Sequence, residues 1–459
     1  MGGRMWLPWF LIVFWHVKAI VGLSNECPKL CNCWKTAINC ESGRREFPTT
    51  IPPTYRSMYF RNNKVPSLSR DTFRGLGYYT LQQLHLAYDD IEVIAADTFK
   101  GLAQLQYLTI QNNKLLKIYQ NGFQGLENVH TMDLQHNQII ELEAGSFKGM
   151  QNLDSLDLSN NDIERLESGV FYDAQSLQKL NLDNNKIESI SAGVFSDVSS
   201  LTNLILQNNL LEELPWNVFN GLNELDELNL SNNKLTSIDR SLFHDLTNLR
   251  QLDLSNNKIE ILSVDTFVNI LALQTLLLND NSIHVLPPTI FEHCQGLKKL
   301  TLHDNALQTL HPKVFRGMKS LQELDFHGNP WTCDCTMLPL KVWFEEAGKA
   351  VQIQESNTVY CKRTPSHVLE NYTKLEDIAN TWLCSDPAEI HVEGDGTVLT
   401  AKTCVLCVSP VVYILTIIVV LSGCVISLKI RVCRQRRLKN YKKQVFALRD
   451  KDTMVKSRI

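Results

Sequence analysis

Asparagine recurs at an interval that no single globular core would impose. Asn113, Asn137, Asn161, Asn185, Asn209, Asn233, Asn257, Asn281, Asn305 and Asn329 stand one constant step apart, two dozen positions, in unbroken register. Each closes the same stretch, cleanest at 249–259, LRQLDLSNNKI, where Leu249, Leu252, Leu254, Asn257 and Ile259 keep L-x-x-L-x-L-x-x-N-x-[LI]. A second ladder holds the same step: Phe99, Phe123, Phe147, Phe171, Phe195, Phe219, Phe243, Phe267, Phe291 and Phe315. A period in the twenties is the mark of a solenoid, whose turns bury their apolar faces only by stacking on one another. The 459 residues, 44% of them hydrophobic, therefore predict one elongated body grown by addition rather than a row of domains.

Alternation along a strand sets the expected orientation. Leu252 and Leu254 point inward, while Gln251, Asp253 and Ser255 face out. Stacked turns then make a parallel sheet on the concave side, and the longer return of each turn makes a convex arc. The asparagine follows the strand where the chain bends inward, so its buried amide can pair backbone groups left open by the bend. Each apolar residue fully buried stabilises by about 1.5–3 kcal/mol. Two departures stand out. From Asn63 to the next ladder position the step is longer by a pair of residues, lying in 76–80, and that position holds Asp89, which when ionised accepts hydrogen bonds but donates none. Cys294 takes a place that other turns give to Leu102, Met150, Leu222 or Met318, and reads as an inert buried thiol.

The ends differ from the middle. Residues 1–22 carry Arg4, an apolar run from Trp6 to Trp15 and small residues near Ala19 and Gly22, as a secretory signal peptide does. Residues 408–428 are uncharged and mostly aliphatic, long enough to cross a hydrocarbon core of about 30 Å, and the basic flank after them places the tail in the cytoplasm. Of the net charge of −4, the leader holds +2 and residues 429–459 hold +10, which leaves −16 for residues 23–428. The exterior is acidic and the tail basic. Cys404 and Cys407 at the outer boundary are open to pairing with each other, to cross-linking two chains or to acylation; Cys433 is a palmitoylation candidate or a free thiol.

Cysteines bracket the repeats. Cys27, Cys31, Cys33 and Cys40 precede the first turn; Cys333, Cys335, Cys361 and Cys384 follow the last, after Asn329-Pro330-Trp331. A solenoid needs caps there, because its end turns would otherwise expose core leucines and strand edges. Zinc could hold four cysteines, but an oxidising exterior favours disulfides, and spacing alone leaves three pairings open in each cap. Repeat and cap motifs together resemble extracellular leucine-rich-repeat proteins, among them Toll-like receptor ectodomains, Slit proteins, lamprey variable lymphocyte receptors and neuronal leucine-rich-repeat transmembrane proteins. The resemblance covers roughly 25–385 and implies bridges Cys27–Cys33, Cys31–Cys40, Cys333–Cys361 and Cys335–Cys384. The expected fold is an α/β solenoid, a horseshoe with a parallel concave sheet, disulfide-bonded N- and C-terminal caps and one transmembrane helix. Its expected divisions are signal peptide 1–22, N-terminal cap 23–54, about eleven to twelve repeats over 55–328, C-terminal cap 329–385, stalk 386–407, membrane helix 408–428 and cytoplasmic tail 429–459.

No H-E-x-x-H, G-x-S-x-G or phosphate loop occurs, and the sequence predicts neither an enzyme nor a cofactor, metal or nucleic-acid site. His85, His303 and His327 fall at outward positions of the strand face and read as solvated surface. The segment 429–459 after the membrane is too short for a kinase or Toll-type signalling domain. The leading reading is a plasma-membrane, single-pass type I recognition receptor or adhesion molecule that binds a protein, glycan or microbial ligand on its concave face. The family neighbours admit an immune as well as a neuronal setting, and a co-receptor or a second copy as partner. The rival is an auxiliary subunit acting in cis on a channel or receptor through its membrane helix, where Gly423 and Ser427 form a small-x-x-x-small pair.

The central outward position is aromatic or histidine in the first turns and acidic in the middle. It predicts an N-terminal hot spot at Tyr59, Arg61, His85, Tyr88 and Tyr107, with Asp133, Asp157 and Asp253 steering a basic ligand. Sequons stand at Asn229 and Asn371, the former in the middle of the face. Ser457-Arg458-Ile459 resembles a class I PDZ ligand, with Ser457 and Ile459 as its readable positions.

Overall fold

The computed structural model describes residues 27–41, 43–75, 77–332 and 337, the helix Leu338–Ala347, and the strands Gln352–Ile353, Tyr360–Lys362, Tyr372–Lys374, Ile390–Val392 and Val398–Thr400. The chain divides into two units at Ser385. In the second, the described residues form an antiparallel pair, Ile390–Val392 with Val398–Thr400.

The first unit is a solenoid built on one 15-stranded sheet. An antiparallel hairpin, Asn32–Trp34 with Ala37–Glu41, opens it, and every later pairing in the sheet is parallel. The first two repeat strands, Ser57–Arg61 and Gln83–Ala87, have five residues; the following ones, from Tyr107–Thr109 to Glu323–Asp325, have three. Register is set by the constant step of the repeat. Leu156 pairs with Leu180, Leu180 with Leu204 and Leu204 with Leu228, so like residues stack on like. Leu252 and Leu254 are buried as expected, whereas Ser255 is buried rather than outward, its hydroxyl donating to Asp253 Oδ1.

The asparagine ladder ties each turn to its neighbour. Asn185 Nδ2 donates to the carbonyls of Leu158 in the previous turn and Leu182 in its own, and its Oδ1 accepts from the Ile163 N–H. The residue before it turns the corner in the left-handed region. Asn112, His136, Asn160, Asn184, Asn208, Asn232, Asn256, Asp280 and Asp304 all have φ between 52° and 56°. Asn and Asp tolerate that region better than other side chains, which explains the doubled N-N of the motif.

The phenylalanines form the expected interior column. Rings from Phe73 to Phe219, and again from Phe243 to Phe291, stack with centroids 5.6–6.4 Å apart. That step exceeds the ~4.8 Å spacing of hydrogen-bonded strands. The sheet therefore lies on the shorter, inner arc of this unit. Phe47 closes one end of the column against Phe60 and Phe73, and Trp343 of the helix Leu338–Ala347 covers Phe315 at the other.

The outer arc corrects the α/β expectation. Among the described residues no repeat contains an α-helix, and the architecture is a β-solenoid. The return runs through two-residue strands such as Lys117–Ile118 and Glu141–Leu142, then through successive i to i+3 turns, as in Val170 to Glu167, Tyr172 to Gly169 and Ala174 to Phe171. So few residues remain that a helix, advancing only about 1.5 Å per residue, could not make the return. The irregular second turn is as anticipated: the extra residues form the 3-10 turn Tyr78–Thr80, and the buried Tyr78 hydroxyl donates to the Pro48 carbonyl.

Cys27–Cys33 and Cys31–Cys40 are bonded as the resemblance implied. Cys294 is a free, fully buried thiol whose pKa burial pushes up to about 12. The pairings Cys333–Cys361 and Cys335–Cys384, Asn371, Cys404, Cys407, Cys433, the segments 1–22 and 408–428, and Ser457 and Ile459 lie outside the described residues or, for Cys361, beyond what is described of its side chain. Among the described residues no helix is long and apolar enough to cross a membrane.

Candidate functional site

The hot spot expected at the N-terminal end of the sheet takes shape as a row of rings. Strand register places Asn39, Tyr59, His85 and Thr109 side by side. Tyr59 and His85 stack at 4.6 Å, their planes almost parallel at 3°. Trp34, on the cap hairpin, extends the stack beyond Tyr59 at 6.4 Å and 13°. Arg61, two residues along the Tyr59 strand, lays its guanidinium 4.9 Å from the tyrosine ring centre, a cation–π contact. Trp34 was not legible as a site residue; its signal is the W that follows the Cys31-x-Cys33 pair, which reads as part of the cap.

His85 is not the solvated side chain that its outward position suggested. Burial beneath Tyr59, aided by the Arg61 charge, lowers its pKa to about 4, so the ring is neutral at physiological pH. Its Nδ1 lies 3.1 Å from Thr109 Oγ1. Two buried polar atoms beside the row, Arg61 Nε and Asn39 Oδ1, have no hydrogen-bond partner among the described residues. Native proteins leave few such atoms unpaired.

Tyr88 and Tyr107 do not join the stack. Tyr107 sits opposite Gln83, while Tyr88 lies five residues further along, which at ~3.3 Å per residue places them at opposite edges of the sheet face. Both are exposed, Tyr88 by 56% and Tyr107 by 41%. Tyr88 also occupies the left-handed corner that most other turns give to asparagine or aspartate, with φ 61°. For a bulky residue this is an outlier, and such positions gather at functional sites.

The acidic row has a structural origin that the sequence reading missed. Asp133, Asp157 and Asp253 each use Oδ1 to accept the N–H two residues on, at Gln135, Ser159 and Ser255, and Asn181 and Asn229 do the same. The Asx turn accounts for the Asp or Asn at these five positions, while Ile205, Leu277 and Thr301 hold the same register without one. Burial raises the Asp133 pKa against its hydrogen bonds from Gln135, with the Asp157 charge adding to the rise. Asn229 is also engaged through Nδ2, which donates to Gln207 Oε1, so a glycan at this sequon would leave that nitrogen one N–H for the bond. Toward the far end, Thr301 and Asp325, which continue the same row, are buried.

Comparison with known proteins agrees with the repeat fold. The family model described as leucine rich repeat matches residues 79–139, 127–187 and 272–330, and that of the BspA type leucine rich repeat region matches six copies over 164–298. Mouse Nephrocan is 33% identical over 98 residues, 21% of this chain and 19% of its own length. Leucine-rich repeat-containing protein 3 of Danio rerio is 31% identical over 113 residues, 23% of this chain and 42% of its own. The chain thus spans less than half the length of these relatives. Among solved structures, a leucine-rich-repeat protein of Leptospira interrogans superposes with TM-score 0.54 at 24% identity over 67% of this chain and 75% of that one. The octameric complex of Latrophilin 3, Unc5D and FLRT2 contains a chain matching at TM-score 0.54 and 23% identity, over 72% of this chain and 92% of that one. At that identity the likeness speaks for fold alone. With repeat matches running unbroken from 79 to 330, more than half its length, the chain belongs to the leucine-rich-repeat proteins.

Proposed function

We propose that the protein is a single-pass cell-surface recognition protein that binds a macromolecular ligand, and that it has no catalytic role. The ligand docks on the N-terminal end of the sheet face. The observation that carries the reading is the row Trp34, Tyr59 and His85 with Arg61 over it, rings and guanidinium side by side at one end of the face. Aromatic and arginine side chains dominate interface energetics because they bury large area at small entropic cost. Protein ligands are favoured by analogy: FLRT2 is solved with Unc5D and Latrophilin 3, and Toll with Spatzle. The uncharged segment 408–428 would hold the solenoid outside the cell, with the basic tail inside.

Display of the full chain on cells, probed with a library of secreted and ectodomain proteins, tests this reading. A ligand whose binding falls more than about tenfold on Trp34→Ala or Tyr59→Ala, an affinity loss typical of an anchor residue, supports it. A ligand that binds both variants as tightly as the native chain refutes the assignment of the site.

A further inference from the structure

We propose that His303, Asp304 and His327 form a binding site for a divalent transition-metal ion of the zinc class, near the end of the sheet face remote from the aromatic row. The repeat itself brings the ligands together. His303 and His327 stand one repeat apart, so stacking of the turns sets one imidazole on the other, with centroids 4.7 Å apart and planes 10° from parallel. Asp304 occupies the left-handed corner between them in sequence and space, at φ 52°. One ligand atom from each of the three lies within 4.8 Å of the other two.

The carboxylate is held in place from below. Asp304 Oδ2 is 2.8 Å from His303 Nδ1 and 3.9 Å from His327 Nε2. The corresponding corner of the next turn is Gly328, where any Cβ would collide with Asp304 Oδ1, so the glycine leaves the space that the carboxylate fills. Tetrahedral zinc with bonds of 2.0–2.2 Å needs its ligand atoms about 3.3–3.6 Å apart. The two separations to the carboxylate fall on either side of that value, and all three ligand atoms lie within 4.8 Å of one another.

A further carboxylate behaves as the outer shell of a metal site does. His327 Nδ1 lies 2.6 Å from Oδ1 of Asp325, a buried residue on the strand Glu323–Asp325. Histidines that bind metal hand their second ring N–H to such a group, which fixes the tautomer and turns the other nitrogen to the ion. Here the other nitrogen is Nε2, directed at Asp304. Two imidazoles and one carboxylate suit Zn²⁺, Cu²⁺ or Ni²⁺, whereas Ca²⁺ and Mg²⁺ prefer oxygen alone. Three protein ligands leave a fourth position for water or for a group from a docked partner. The pairs His130–Asp154 and His244–Asp245 have no third member grouped with them among the described residues, and they serve as controls.

The test uses the full chain in detergent, purified without a histidine tag, with Zn²⁺ in equilibrium dialysis and Co²⁺ as a spectroscopic probe. One saturable ion per chain is expected at this site, with visible Co²⁺ bands of a nitrogen- and oxygen-ligated ion. His303→Gln and His327→Gln should each weaken binding at least tenfold, and Asp325→Asn about 10–100-fold. Asp304→Asn, which keeps a residue suited to the left-handed corner, should weaken it without lowering the melting temperature, and His130→Gln should change nothing. No saturable binding, or the same affinity and Co²⁺ spectrum in the His303→Gln/His327→Gln double variant, overturns the proposal.

Discussion

Asp89 shows how much a single atom of the repeat matters. Its Oδ1 accepts the Asn63 N–H as Asn113 Oδ1 accepts the N–H of Asp89, so its Oδ2 stands where the ladder's amide nitrogen donates to carbonyls. That oxygen has no hydrogen-bond partner among the described residues. Burial raises the carboxyl to about 7 against the opposing hydrogen bond from Asn63. The folded chain therefore keeps a proton that the unfolded chain releases near pH 4. The group's contribution to stability is full below about pH 4 and is lost as the pH rises through about 7. Asp89→Asn restores the donor. It should stabilise by on the order of 1–3 kcal/mol at pH 8, with the gain shrinking below pH 5. Thermal melts of the two proteins at both pH values check this, and a gain that is larger in acid would contradict the assignment. The sequence announced Asp89 as an irregularity, because a carboxylate cannot donate. It could not announce the half-buried histidine at 85, whose outward register says nothing of the tyrosine lying over it.

At the scale of one turn, the strand, the asparagine and the phenylalanine were legible because each recurs at fixed spacing and does one physical job. The outer arc was not. Its residues vary from turn to turn, and only the count of those left over, too few for a helix, distinguishes a chain of i to i+3 turns from an α/β return. The Asx turn at Asp133, Asp157 and Asp253 was hidden for another reason: local side-chain to backbone bonding and a ligand-facing acid leave the same letter in the sequence. Phe195 measures what the ladder contributes. It is fully buried and stacks at 6.1 and 6.2 Å on Phe171 and Phe219. Phe195→Ala should cost about 3–5 kcal/mol, lost burial plus the cavity left between two rings that cannot close on each other. Chemical denaturation should show it as a lower midpoint; a midpoint unchanged within error would mean that the column is not continuous there.

For the whole solenoid, the sheet face separates two kinds of contact along its length. Aromatic residues with Arg61 occupy the first turns, and half-buried aspartates follow through the middle. A ligand that spans both would gain affinity at one end and approach rate from the other, since rim and field charges act mainly on association. Asp157 allows these to be separated. Its Oδ1 already serves the Ser159 N–H, a bond that an asparagine side chain would keep, so Asp157→Asn removes charge and leaves the turn intact. It should slow association at low salt, with little effect at high salt where charges are screened. Tyr88→Ala and Tyr107→Ala should each cost more than ~1 kcal/mol of affinity, seen in dissociation rather than association. These tyrosines lie at opposite edges of the face, so both fall only if the ligand crosses the sheet from side to side. Loss from Tyr88→Ala alone would confine it to the corner beyond the strand ends. Normal binding by both variants, with loss on substitution of Leu277, would move the contact to the far turns and leave the aromatic row a covering for the cap.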